Sequence, residues 1–344
     1  MTRHLRIRNT FPSRQHLRGF GIVELMVAMA LGLFLVGGAI SVFVTNQQAY
    51  RATEQLSRMQ ESGRTAVELM ARQLREAGGS PCGRNMPTAN VINNVGTHWW
   101  ANWSDGVRGY DDNVAAAGVN FGTGAANRIQ GTDAIFLVFG NANSGVRIDS
   151  HNPTSAQFKV STNNHGLVDG EIVLVCNYSQ AAILQVTSAQ STNSTVVHNT
   201  GTGSPGNCSK GLGIPTVCTT NGTEYEFKDG YLMRLSSEIW YIGANGRGGR
   251  SLYRARMVNN AGTPTTVPEE IAEGVTNLQL TYLEPDATGV LPVDYATATA
   301  VASWPKVTAV RVTLTLQSQQ NVGTDNAPLQ RQMTYVATLR NRLP

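Results

Sequence analysis

Arg18-Gly-Phe-Gly-Ile-Val-Glu-Leu25, followed by Met26-Val-Ala-Met-Ala-Leu-Gly-Leu-Phe-Leu-Val-Gly-Gly-Ala-Ile-Ser-Val-Phe-Val44, is the stretch that decides the fold. Between Arg18 and Arg51 the only charged side chain is Glu24, and Leu25 to Val44 gives 20 residues without charge. As a helix such a run is about 30 Å long, the thickness of a bilayer core. An acid at mid-membrane costs roughly 2.5–3.5 kcal/mol. A lone carboxylate at the edge of this segment therefore needs a partner, and no neighbouring side chain supplies one. Upstream, Arg3, Arg6, Arg8, Arg14 and Arg18 come without a single acid, which holds that end in the cytoplasm. A secretory signal has a shorter apolar core with a small-residue cleavage site after it. Here a Gly-Phe junction precedes the apolar run instead.

Gly19-Phe20 followed by Glu24 and a long apolar helix resembles the class III leader of type IV pilins and type II secretion pseudopilins. The resemblance implies that Gly19 is the last leader residue and Phe20 the first mature one. A prepilin peptidase would cleave between them, and Phe20 would then be N-methylated. It further implies that Glu24 pairs with the Phe20 amine of a neighbouring subunit during assembly. A free amine and a carboxylate attract far more strongly in low dielectric than in water, in keeping with that role. Gly21 stands where many pilins place Thr or Ser. The bland alternative is an uncleaved signal anchor with Glu24 at the headgroup level, which leaves the Gly-Phe…Glu spacing as coincidence. The implied location is a single-pass inner-membrane precursor, leader in the cytoplasm and head in the periplasm, and afterwards a pilus.

The chain has 27 basic and 23 acidic residues, and five of the basic ones precede Gly19, so beyond the leader the balance is 22 against 23, a net −1. The basicity belongs to topology and indicates no nucleic-acid partner. At 41% hydrophobic and 15% charged, rich in Gly, Asn, Thr and Ser, the chain reads as an exported β-rich protein.

Beyond the apolar run, Thr45 to Ala77 contains no proline and only Gly63 among glycines. Leu56, Met59, Val67, Met70 and Leu74 fall on one face at helical spacing, and Glu54/Arg58 and Glu68/Arg72 are i,i+4 acid-before-base pairs. Gly78-Gly79 and Pro81 form a stop. The expectation is one helix of about 55 residues, roughly 85 Å long, whose second half waits for a sheet. From Ser80 to about Gly206 the sequence is loop-rich. Trp99, Trp100 and Trp103 lie near Asp105, Asp111 and Asp112, which could be a carbohydrate platform beside a calcium loop. The spacing matches no EF-hand, however, and clustered Trp beside turns reads first as packing. Strands are expected at Asp133–Phe139, Glu171–Cys176 and Ala182–Thr187, then at Glu238–Ile242 and Ser251–Ala255 around a glycine-rich hairpin. Alternation at Leu278/Leu280/Tyr282, Val310/Val312/Leu314/Leu316 and Met333/Tyr335/Ala337/Leu339 predicts antiparallel strands with one buried face, fit to cover the helix.

Ile271–Tyr282, Trp304–Val312 and Tyr335–Asn341 look like the end of PilW-type minor pilins, and pseudopilin J subunits share a related layout. The resemblance implies an α+β, type IV pilin-like fold: a long N-terminal helix, membrane-embedded in its first half, packed on an antiparallel β-sheet head with loop-rich insertions. The expected division is a leader at 1–19, the membrane and assembly half of the helix at 20–44, its amphipathic half at 45–79, an insertion region at 80–206, and the sheet head at 207–344. The implied partners are other minor pilins, the major pilin, the prepilin peptidase and the inner-membrane pilus assembly platform. The implied role is an assembly subunit that primes the fibre or sits at its tip, the alternatives being a J-like pseudopilin or a tip adhesin.

Cys82, Cys176, Cys208 and Cys218 lie beyond the membrane segment, in an oxidising compartment. Their spacing fits no zinc motif, so disulfides lead over metal. Of the three possible pairings, Cys208–Cys218 across a short loop with Gly211, Gly213 and Pro215 is the first choice, with Cys82–Cys176 following. His98, His151, His165 and His198 sit in polar, Gly/Asn/Ser-rich settings and read as solvated. No Gly-x-Ser-x-Gly, His-Glu-x-x-His or Cys-His signature occurs, so no enzyme, cofactor or metal site is expected.

Overall fold

The computed structural model describes residues 19, 21–84, 86–103, 106–323 and 325–342. Phe20, the leader residues ahead of Gly19, and Asp105 lie outside that set. One α-helix spans Ile22–Glu76, 55 residues, so Gly32, Gly37 and Gly38 do not interrupt it. The chain divides into two compact units between Glu54 and Gln55, inside this helix.

In the second unit the helix buries Gln55, Met59, Gly63, Ala66, Met70, Gln73 and Leu74. This stripe differs from the expected one at Leu56, which is exposed, while Val67 is half-buried and packs against the same core. Small residues at Gly63 and Ala66 allow a closer approach than the larger side chains would, and they displace the contact line. The expected pair of Glu68 with Arg72 gives way to two others. Glu68 pairs back to Arg64 at 2.7 Å, and Arg72 pairs forward to Glu76 at 3.2 Å. All four side chains are exposed, so water screens both pairs and they carry little of the stability.

Two sheets form the head. Val275–Leu283, Ala309–Gln317 and Gln330–Thr338 make a three-stranded antiparallel sheet, as the period-two pattern requires. Its inward residues Leu278, Leu280, Val310, Val312, Leu314 and Leu316 share a core with Met59, Ala66, Met70 and Leu74 of the helix. Gly63 lies at this contact: a Cβ there would stand 2.8 Å from Leu316 Cδ2 and would run into Met333 Sδ. Gly63→Leu is therefore expected to lower stability by about 1–3 kcal/mol through overpacking. A drop in the thermal midpoint of the solubilised protein would register it; an unchanged midpoint would show that helix and sheet do not meet there.

The second sheet has twelve strands, and Tyr231–Ala244 is its trunk. The first residues of this strand pair with Ile172–Cys176 and Val146–Asn152. The remainder pairs with Ala134–Gly140 on one side and Arg250–Asn260 on the other. The expected boundary at 206/207 therefore does not divide the fold, because strands from both sides of it alternate around one trunk. Ala134–Gly140 is apolar throughout because both its faces are covered. Ile135 and Leu137 face the helix-side core, while Phe136 and Val138 join Trp100, Ile239 and Tyr241 on the other side. Trp240 fastens the trunk to the helix, its Nε1 donating to Gln73 Oε1 at 2.6 Å.

Thr263–Glu273 is a strand that the sequence does not announce. It carries Pro264 and Pro268 and pairs only with Arg250–Asn260, and prolines are tolerated where a strand's outer N–H groups bond nothing. The tight turn into it places Ala261 and Gly262 at φ +48° and +93°, the geometry favoured in two-residue hairpins.

Candidate functional site

The segment with functional character begins where the helix starts. Gly21 O accepts from Leu25 N at 3.1 Å, and Glu24 lies in the first helical turn. The first-turn N–H groups have no intrahelical partners, and a carboxylate among them is favoured by the helix dipole. From Ile22 to Val44 the large apolar side chains stand exposed, Phe34 at 82% and Ile22 at 81% among them. Twenty-odd exposed apolar residues on one continuous helix are stable only in lipid or against other apolar helices. Glu24 is the one charge in that surface.

The opposite end of the helix is held by the C-terminal segment. Asn341 Nδ2 reaches the carbonyls of Arg75, Glu76 and Ala77 at 3.5, 3.3 and 3.4 Å. Gly78 N donates to Val138 O at 2.7 Å, and Gly140 N donates to Gly79 O at 2.9 Å. Carbonyls left open by the last turn thus find donors from elements distant in sequence. The pattern Tyr335–Asn341 points to a terminal strand, but nothing in it announces that Asn341 caps the helix.

All four cysteines are bonded. Cys82 joins Cys176 with Cα atoms 5.9 Å apart, and Cys208 joins Cys218 at 4.9 Å. The first bond ties the segment after the helix to the strand Ile172–Cys176, and the second closes a loop.

The histidines overturn the expectation of solvated loop residues: His151, His165 and His198 are buried, and His98 is half-buried. His151 Nδ1 accepts from Phe227 N at 3.1 Å, so its proton lies on Nε2, 3.0 Å from His198 Nε2. Burial pushes His151 down to about 4; burial and then the neighbouring His151 push His198 well below its ordinary value. Both rings are neutral packing groups beside Phe158, and the sequence missed this because the aromatic neighbours come from other strands. Arg128 is wholly buried and donates to the carbonyls of Thr132 at 2.6 Å and Val114 at 2.7 Å; burial lowers it to about 10. Asp133, raised to about 6 by burial, accepts from Leu280 N at 2.6 Å and Asp112 N at 3.0 Å. Asp111 caps Ala298 N and Thr299 N. These acids are spent on backbone N–H groups and organise loops. No group of three or more His, Cys, Asp or Glu able to hold a metal occurs among the described residues. The tryptophan cluster packs: Trp100 is buried, and Trp99 and Trp103 lie half-buried against the same core.

Comparison with known families adds two matches at opposite ends of the chain. Residues 14–40 match the prokaryotic N-terminal methylation motif, which covers the Gly19 junction, Glu24 and most of the apolar run. Residues 239–341 match PilW, the type IV pilus-assembly protein W, from the trunk strand through the three-stranded sheet to Asn341. No curated protein and no solved structure matches the chain.

Proposed function

We propose an initiating, low-copy place in the fibre for this chain, a type IV pilus minor pilin of the PilW type. It is a single-pass inner-membrane protein with its head in the periplasm, and it associates with other pilus components. The observation that carries the assembly role is the exposed apolar surface from Ile22 to Val44 with Glu24 as its only charge. In the membrane this surface meets lipid, and on extraction it meets the corresponding helices of other minor pilins and the major pilin. Cleavage between Gly19 and Phe20 frees an amine that the Glu24 carboxylate of a neighbouring subunit receives. The chain acts as a structural subunit and not as an enzyme.

The initiating place rests on the head. A compact unit as long as Gln55–Pro344 has a radius of gyration of roughly 19 Å, whereas helices packed side by side stand about 8–10 Å apart. A twelve-stranded sheet added to the three-stranded one is hard to repeat at that spacing, and at a fibre's end it meets neighbours on one side only. Quantitative mass spectrometry of sheared fibres should find the protein far below the major pilin in copy number. Near-equal copies, or immunogold spread evenly along the shaft, would place it in the shaft.

Processing is tested separately. Intact-mass analysis of the protein from cells should give a chain starting at N-methylated Phe20, and Gly19→Arg should leave the full-length precursor. An arginine-rich leader on the mature wild-type protein would exclude cleavage at this junction.

A further inference from the structure

A cleft of about 880 Å³ opens at the C-terminal end of the helix, beside Gly78. Trp99, Trp103, Tyr110 and Phe136 contribute aromatic rings to its walls, and His98 lies among them. Its size is that of small-molecule sites, which combine apolar walls with a few placed polar groups.

The walls are built and fixed. Trp99 Nε1 donates to Thr266 Oγ1 at 3.0 Å, and its ring meets Phe136 edge-on with centroids 5.9 Å apart. Asn90 Nδ2 donates to Ala101 O at 2.9 Å, and Thr88 Oγ1 donates to Met86 O at 2.9 Å. Arg342 donates to Trp304 O. Two lining groups stay open: among the described residues the His98 ring nitrogens and the Trp103 indole N–H bond no protein atom. His98 is nonetheless held, stacked on Trp100 with centroids 4.9 Å apart. No described carboxylate lines the cleft, whereas Arg108 and Arg342 do.

These features select a ligand class. A cation would find no acid among the described lining residues. A wholly apolar ligand would cover His98 and Trp103 and leave their polar atoms without water or partner, which is unfavourable. A pyranose has what the walls lack: an apolar C–H face for the aromatic side, and a rim of hydroxyls that both donate and accept. The His98 imidazole has nitrogens that can donate and accept, and Trp103 offers a donor. We propose that this cleft, bounded by His98, Trp99 and Trp103, is a saccharide-binding site. The assignment stands on the cleft alone, independently of the chain's place in a pilus.

The test is calorimetric titration of the detergent-solubilised full-length protein with chitotriose, maltotriose and sialyllactose. At least one should bind, and Trp103→Ala and His98→Ala should each weaken it about tenfold or more, the scale on which anchoring contact residues act. Both truncations also remove packing, since His98 stacks on Trp100 and Trp103 lies half-buried against the core, so each titration is made well below that variant's own thermal midpoint. Tyr178→Ala, which alters an 89% exposed ring outside the cleft, should leave binding unchanged. Preference for sialyllactose would assign an acidic sugar; preference for the other two would assign a neutral one. Absence of binding by all three sugars, or binding that survives both substitutions, would overturn the proposal. Neither result bears on cleavage at Gly19 or on assembly through Glu24.

Discussion

Replacing Cys82 and Cys176 together by alanine is expected to remove roughly 4–5 kcal/mol of stability, because the bond spans a sequence separation of 94 residues. Removing Cys208 and Cys218, separated by 10, should cost roughly 3 kcal/mol. The ordering follows from chain entropy: the longer the loop that the bond closes, the more unfolded conformations it excludes. Local structure reinforces it. Cys176 is fully buried at the end of the strand Ile172–Cys176, and Cys82 lies on the segment that leaves the helix. Just beyond Cys82, the three residues Thr88–Asn90 add that segment to the sheet, in parallel pairing with Ala181–Ile183. Against a typical net stability of about 5–15 kcal/mol, the first loss is large enough to deplete the protein in the periplasm. Denaturant titration of the purified variants measures both losses. Equal or reversed values would show that loop length does not set the contribution, and free thiols in non-reducing peptide maps would remove its basis.

The parts that were legible in the sequence are those where one local pattern does one job. Leu25 to Val44 without charge can only be a helix in an apolar setting, and the alternation at Val310, Val312, Leu314 and Leu316 can only be a half-buried strand. Both stand in the structure as read. Legibility fails where a residue's role is decided by a distant partner. Asn341 caps a helix that ends more than 260 residues earlier. His151 and His198 sit in polar stretches and yet face each other in an aromatic core. Thr263–Glu273 is a strand in spite of two prolines, because only one of its edges is paired. The 206/207 boundary failed for a related reason. A change in composition marks where loops thin out, but Tyr231–Ala244 gathers strands from both sides of it. For the candidate site, Glu24 stands out in the sequence because it is the one charge between Arg18 and Arg51, and the matched methylation motif covers it. The cleft was only half visible: its tryptophans cluster in sequence, but Phe136, Pro305 and Arg342, distant in sequence, also line it.

Glu24→Val should move membrane insertion and pilus assembly in opposite directions. The substitution removes the single charge between Arg18 and Arg51, so insertion should be easier by up to about 3 kcal/mol, depending on depth. Processing should continue, because the Gly19-Phe20 junction lies outside the changed position. Assembly is different. On the proposed assembly, the helix leaves lipid for a packed bundle and buries the amine that cleavage would free on a neighbouring Phe20, and without Glu24 that amine would be buried unpaired. Breaking a buried pair by removing one partner costs about 3–5 kcal/mol, which corresponds to a hundredfold or greater loss of association at roughly 1.4 kcal/mol per decade. Carbonate-resistant membrane fractions report insertion, intact mass reports processing, and co-purification with other minor pilins reports assembly. The expected pattern is wild-type or higher membrane content, a normal mature mass, and co-purification reduced at least about a hundredfold. Loss of all three together would mean that Glu24 serves folding or insertion. Retention of all three would mean that the carboxylate stays at the headgroup level as an anchor residue and that no intersubunit ion pair forms.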